Sequence, residues 1–199
     1  MTPRGAHPRH SSEGKRLVDE LNAEHQRILA RANASVSAAA ERAASDPSRP
    51  IYHLTSAAYW INDPNGPVYH DGEYHLFFQH NPFGSEWGNM CWGHAVSEDL
   101  VHWEHLPIAL APGPGGYDKD GVFSGCCVIH QGVPTILYTG VSPECQCLAT
   151  SEDRLRSWVK HAANPVIVRH PRDDLEGFRD PFCWRDRETW YKALGSSIR

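Results

Sequence analysis

Hydrophobic positions along this chain follow two rhythms, and the change comes at Pro50. Between residues 13 and 44, Leu17, Val18, Leu21, Ile28, Leu29 and Ala32 fall near i, i+4 and i+7, with charged residues and many alanines between them. That spacing predicts an amphipathic helix, because residues three and four apart share a helical face and alanine favours the helix most. Ser12 is placed to cap its start, and Asp46-Pro47 to end it. The apolar stripe must be covered by the body of the protein or by another subunit. Residues 1 to about 12 are polar, with Pro, Gly and His, and predict a disordered start.

After Pro50 the helical period gives way to short β-prone runs at 67–69, 74–79, 93–97, 121–129, 135–139, 147–151, 182–184 and 190–194, separated by Gly, Pro, Asn and Asp. Asp71-Gly72 is the turn dipeptide of a tight hairpin between the first two. The runs repeat. The segment from His94 to Leu100, with Ser97-Glu98-Asp99, is echoed by Leu148 to Asp153, with Ser151-Glu152-Asp153, and the two serines stand 54 positions apart. Asn62-Asp63-Pro64, Phe123-Ser124-Gly125 and Arg179-Asp180-Pro181 form a second series, its members 61 and 56 positions apart. A period in the fifties carrying about four strands is the mark of propeller blades. The innermost strand of each blade lines a common funnel, so Asp63, Ser124 and Asp180 should face one cavity. Two blades and the opening of a third are expected, a partial ring that stops at Ser196-Ser197-Ile198-Arg199 without a capping feature.

The stretch from Trp60 to Pro67 is the densest in chemistry. Pro64 biases Asp63 to extended backbone, and Asn65-Gly66 predicts a tight turn beside it. An indole, a carboxamide and a carboxylate together suit a polar ligand with apolar ring faces. A hairpin with an aspartate-capped turn accounts for the same residues equally well.

Composition narrows the function. A formal net charge of −5 without a basic cluster argues against a nucleic-acid surface. Seven Trp and seven Tyr beside 16 Gly and 15 Pro suit strands joined by turns, and suit carbohydrate, whose C–H faces stack on aromatic rings. The six Cys form no C-x-x-C pair, and Cys145-x-Cys147 is only half a metal motif. Buried free thiols in a reducing compartment are expected. No helical His-x-x-x-His pair stands among the 13 histidines, which predict surface or hydrogen-bonded roles. No metal or cofactor is expected. Without an apolar leader or a membrane-length run, the expectation is a cytoplasmic protein that binds no membrane.

Two converging carboxylates with Arg179 and tryptophans point to glycosidic cleavage. Asp63 is the better nucleophile. Arg179 should hold Asp180 ionised, which suits hydrogen bonding to sugar hydroxyls rather than proton donation. Ser124 lacks the strand-turn-helix setting of a hydrolase serine.

The set Trp60-Ile61-Asn62-Asp63-Pro64-Asn65-Gly66, Phe77-Phe78-Gln79-His80-Asn81-Pro82, Glu86-Trp87-Gly88-Asn89, Trp92-Gly93-His94-Ala95, Phe123-Ser124-Gly125 and Phe178-Arg179-Asp180-Pro181 resembles glycoside hydrolase family 32. That family includes invertases, fructan hydrolases and sucrose-6-phosphate hydrolases. The resemblance covers residues 52–194. It implies an all-β fold, a five-bladed propeller followed by a β-sandwich, and retaining hydrolysis of β-fructofuranosides. On this view 1–50 is a disordered start plus helix, and 51–199 is the incomplete N-terminal part of the catalytic propeller. Asp63 matches the nucleophile and Asp180 the transition-state stabiliser. Asn62, Gln79, Trp87, Ser124 and Arg179 match positions lining the fructose pocket. The family's acid/base is a Glu in a Glu-Cys motif about one blade beyond Arg-Asp-Pro, outside this chain. Glu144-Cys145 spells that dipeptide too early and is expected to be an outer-loop glutamate. Cys126-Cys127 departs from the family, in which Ser commonly follows Phe-Ser-Gly.

The expected substrate is a small saccharide: sucrose, sucrose 6-phosphate or a short fructan. A fructosyltransferase would carry the same motifs, since only the acceptor differs. A truncated, non-catalytic or sugar-binding product is the remaining alternative, because an unfinished ring leaves an open strand edge.

Overall fold

The computed structural model describes residues 12–113, 116–141, 143–172 and 174–198, with side chains in the helix at Glu20 and from Asn22 onward. The expected disordered start lies outside the described residues, and the side chains of Ser12, Leu17, Val18 and Leu21 lie outside the described side chains.

Asp71 and Gly72 have φ of 51° and 92°, the positive pair that a two-residue hairpin turn requires. They join β1 (Trp60–His70) to β2 (Glu73–Asn81), and β3 (Cys91–Ser97) and β4 (Glu104–Leu110) complete an antiparallel sheet in the order β1-β2-β3-β4. Gln131-Gly132 makes the matching turn between β5 (Gly121–His130) and β6 (Val133–Val141), which continue into β7 (Cys145–Thr150) and β8 (Val159–Lys160). This second sheet has the same consecutive antiparallel order. β9 (Leu175–Asp186) and β10 (Thr189–Ile198) form a two-stranded sheet. The arrangement is two complete propeller blades and the first two strands of a third.

β4 and β8 are absent from the sequence reading. Each is the outermost strand of its blade. Pro107 interrupts β4, and β8 is two residues long, so neither carries an alternating pattern. Asn65-Gly66 also differs: it is not a turn. It lies inside β1, where the register shifts between Ile61 and Pro64 and again between Asn65 and Val68. Gly66, at φ 47°, supplies the kink, and a Cβ there would stand 2.8 Å from the Cys127 nitrogen. The first blade can therefore approach the second only with glycine at this position.

The core lies between these two blades. Phe77 and Trp92 from the first pack with Val122, Ile136, Tyr138 and Trp158 from the second. A buried ion pair reinforces the junction: Lys160 on β8 donates to Asp118 and to the Ala111 carbonyl, both at 2.6 Å. Tyr138 OH and Gly113 N also donate to Asp118, at 2.9 Å each.

α1 (Ser12–Ala44) docks on the first blade rather than standing free. Leu29 and Ala32 pack against Cys91, Ile108 and Ala111. Ile108 N donates to Asn33 Oδ1 at 3.0 Å, and Ala111 N to His25 Nε2 at 3.2 Å. The helix thus covers an outer strand edge and satisfies amides that would otherwise lack partners. All six cysteines are free and buried. His75, His80 and His94 are buried as well, His75 and His94 sharing one hydrogen bond of 3.0 Å.

Candidate active site

Asp63 projects from the irregular part of β1, where two register shifts turn the strand toward the funnel. Its Oδ2 accepts from Ser124 Oγ at 2.8 Å and its Oδ1 from Asn62 Nδ2 at 3.1 Å. Trp60 Nε1 in turn donates to Asn62 Oδ1 at 2.6 Å. The carboxylate is thus oriented from its own strand and from the inner strand of the next blade.

Asp180 comes from β9 and carries φ 55° although a proline follows. That proline disfavours any compact conformation, so surrounding contacts must hold this one. Asp180 N donates to Thr139 Oγ1 at 3.1 Å. Gln146, fully buried, donates to the Phe178 carbonyl at 2.6 Å. Glu144 Oε2 accepts from Phe178 N at 2.5 Å, and its Oε1 pairs with Arg179 at 3.3 Å. Three side chains of the second blade therefore grip the start of β9.

Asn62, Asp63, Gln79, Trp87, Phe123, Ser124, Arg179 and Asp180 line one cavity of about 230 Å³. All seven residues singled out in the sequence are brought together there, and Phe123 joins them. Gln79 is fixed by a 3.0 Å bond to the Val122 carbonyl. Trp87 stands at the rim, 60 % exposed, its ring edge-on to Phe123 with centroids 6.1 Å apart. The volume lies below that of sites for drug-sized ligands and suits one sugar ring.

One expectation is qualified here and one corrected. Arg179 favours the ionised form of Asp180, as expected, but does not prevail: the carboxyl is pushed above its ordinary value. Loss of water is the largest cause; Arg179 opposes it, and Asp63 and Glu144 add to the rise. Glu144 is not an outer-loop residue, since it is half-buried against Arg179 and Phe178. Thr139, Glu144 and Gln146 were missed as site-forming residues. No motif marks Thr139 or Gln146, the Glu144-Cys145 dipeptide points to a different role, and all three act on the β9 backbone, Glu144 on the Arg179 side chain as well.

Residues 53–199 match the family model described as glycosyl hydrolases family 32 N-terminal domain. The chain belongs to glycosyl hydrolase family 32. It is 44 % identical over 167 residues to a sucrose-6-phosphate hydrolase of Zymomonas mobilis, covering 79 % of this chain and 32 % of that protein. It is 46 % identical over 156 residues to a sucrose:sucrose 1-fructosyltransferase of Festuca arundinacea, covering 73 % of this chain and 24 % of that one. Among solved structures, a Bombyx mori family 32 β-fructofuranosidase mutant in complex with sucrose matches with a TM-score of 0.69 at 36 % identity, over 94 % of this chain and 37 % of that one. So high a coverage of this chain takes in α1, which the family-model match leaves out. The chain spans about a third or less of the length of these family 32 relatives.

Proposed function

We propose that this family 32 chain carries the fructose-binding half of a retaining β-fructofuranosidase active site, acting on sucrose-like substrates. The observation that carries this reading is the Asp63 carboxylate, held by Ser124 and Asn62 in a cavity that it shares with Asp180 and Arg179.

In the proposed reaction Asp63 attacks the fructosyl C2 and the bond from C2 to the glycosidic oxygen breaks. An acid outside these residues protonates the departing oxygen, and water then releases fructose with retained configuration. Asp180 and Arg179 hold fructose hydroxyls, with Asn62, Gln79 and Ser124 completing the polar wall. Trp87 offers an apolar face at the rim. Among the described residues no further carboxyl lines the cavity, and both oxygens of Glu144 are engaged elsewhere. The family resemblance assigns the acid to a glutamate outside these residues, and 1–199 alone is expected to be inactive. Sucrose, sucrose 6-phosphate and short fructans are the proposed substrates. Six free, buried thiols support a reducing, cytoplasmic setting.

The test is hydrolysis of sucrose, sucrose 6-phosphate and inulin by the product of the complete reading frame. Asp63→Asn should reduce turnover by roughly 10⁴-fold or more, the scale of losing a covalent nucleophile. NMR of the first product should show β-fructofuranose. An active Asp63→Asn variant or an inverted product would refute the reading. Transfer is the second reading, favoured by the similarity to the fructosyltransferase of Festuca arundinacea. Accumulation of a trisaccharide at high sucrose would identify it.

A further inference from the structure

We propose that Glu144 is a positioning residue for fructoside cleavage: its carboxylate holds the Phe178 amide and the Arg179 guanidinium, and so aims the Arg179-Asp180 pair into the cavity. This inference rests on the function proposed above.

Three observations lead to it. First, β9 holds this segment through its own sheet at Arg179 alone, which pairs with Gly195. The pairing with β10 shifts register on both sides of that point, between Ala193 and Gly195 and between Gly195 and Ser197. Second, the backbone groups left over are taken by the neighbouring blade, and Glu144 is the one charged member of that grip. Its Oε2 receives Phe178 N at 2.5 Å, while Thr139 and Gln146 take Asp180 N and the Phe178 carbonyl. Third, Glu144 reaches the side chain that lines the cavity, through the 3.3 Å pair with Arg179. Asp180 keeps its left-handed backbone ahead of Pro181 only while its flanks are held.

This pair should matter far more to geometry than to stability. The Arg179 side chain is 50 % exposed and that of Glu144 22 %, so solvent screens their attraction and the fold gains little from it. Catalysis is less tolerant. A displacement of about 1 Å in a positioned group can lower the rate about 100-fold. A residue of purely structural value would change melting temperature and yield; a positioning residue changes kinetics in a protein that still folds.

Glu144 also belongs to the charge environment of Asp180, which faces Arg179, Asp63 and Glu144. Removing a negative neighbour makes Asp180 easier to ionise. The acid limb of the pH profile should then move to lower pH, a readout that loosened packing alone would not give.

The experiment uses the product of the complete reading frame with sucrose as substrate. Glu144→Ala is expected to lower kcat/KM roughly 10- to 100-fold at nearly unchanged melting temperature. Glu144→Gln keeps an acceptor for the Phe178 amide but loses the charge that holds Arg179. It should recover most of kcat, retain a raised KM, and show the same shift of the acid limb. Both variants within twofold of the parent, with an unmoved acid limb, would overturn the inference and leave the proposed function standing. If Glu144→Ala does not fold, Glu144→Gln decides alone by the same criteria. A parent without fructoside cleavage overturns the proposed function and the role of Glu144 with it.

Discussion

Asp118→Asn should be one of the most damaging single changes outside the cavity. Lys160 donates to Asp118 at 2.6 Å, and the two side chains are only 8 % and 2 % exposed. Removing the negative charge without changing shape leaves an ammonium group buried beside one carbonyl. Breaking one half of a buried pair costs about 3–5 kcal/mol. A second route gives a similar ceiling. Lys160 can escape by losing its proton, and from an ordinary value of 10.5 this costs about 5 kcal/mol at pH 7. A domain has only about 5–15 kcal/mol in total, so the variant should lose a third or more of its stability. Urea unfolding followed by the fluorescence of buried Trp92 and Trp158 measures the loss. The sign of the pH dependence is a further check. Burial lowers the value for Lys160 in the fold, with Asp118 opposing, so the unfolded chain binds more protons and stability rises with pH toward 10.5. That rise should be steeper in the variant than in the parent. Replacing both partners, Asp118→Asn with Lys160→Met, should recover at least about 2 kcal/mol, because the stranded charge is gone. A loss below about 1 kcal/mol, the worth of a surface pair, or a double variant no more stable than the single, would refute the reasoning.

Other outcomes can be checked independently. Burial lowers the values for His25, to about 3, and for His94. The stability of the neutral forms is complete above the unfolded value near 6.5 and is lost as pH falls from there toward the folded values, by up to about 1.4 kcal/mol per unit for each histidine. Urea midpoints between pH 7 and 5 should fall accordingly, and a flat profile would contradict the burial of these rings. Gly66→Ala combines a left-handed backbone with a Cβ only 2.8 Å from the Cys127 nitrogen. It should destabilise by about 3 kcal/mol in thermal or urea unfolding. Asn33→Ala strands the Ile108 amide at the edge of the first blade and should cost about 1–3 kcal/mol by the same assay. Trp87→Ala should raise KM for sucrose roughly tenfold with little change in kcat, if its exposed ring is a sugar platform.

The local and repetitive features of this chain were legible in its residues. A helix with a period near four, runs of β-branched and aromatic residues, and Asp71-Gly72 depend on neighbours a few positions away. The blade repeat needed only self-comparison. It also implied that Asp63, Ser124 and Asp180 converge, because equivalent positions in a propeller share an axis. What escaped depended on groups far apart in sequence. Asn65-Gly66 spells a turn but lies in a kinked strand, because the second blade passes within contact of Gly66. β4 and β8 lack a strand pattern because Ile108, Ala109 and Leu110 of β4 are buried in succession, by α1 and by the second blade, rather than alternately, and because β8 is two residues long. Asp180 shows the limit most clearly. Arg179 suggested an ionised carboxylate, and a following proline by itself favours extended backbone. The fold gives a left-handed residue with a raised carboxyl value, because Thr139, Glu144 and Gln146 grip the strand and burial outweighs the arginine. Chain neighbours decide which conformations and charges a residue can take at low cost; only the packed neighbours, and the water they displace, decide which it takes.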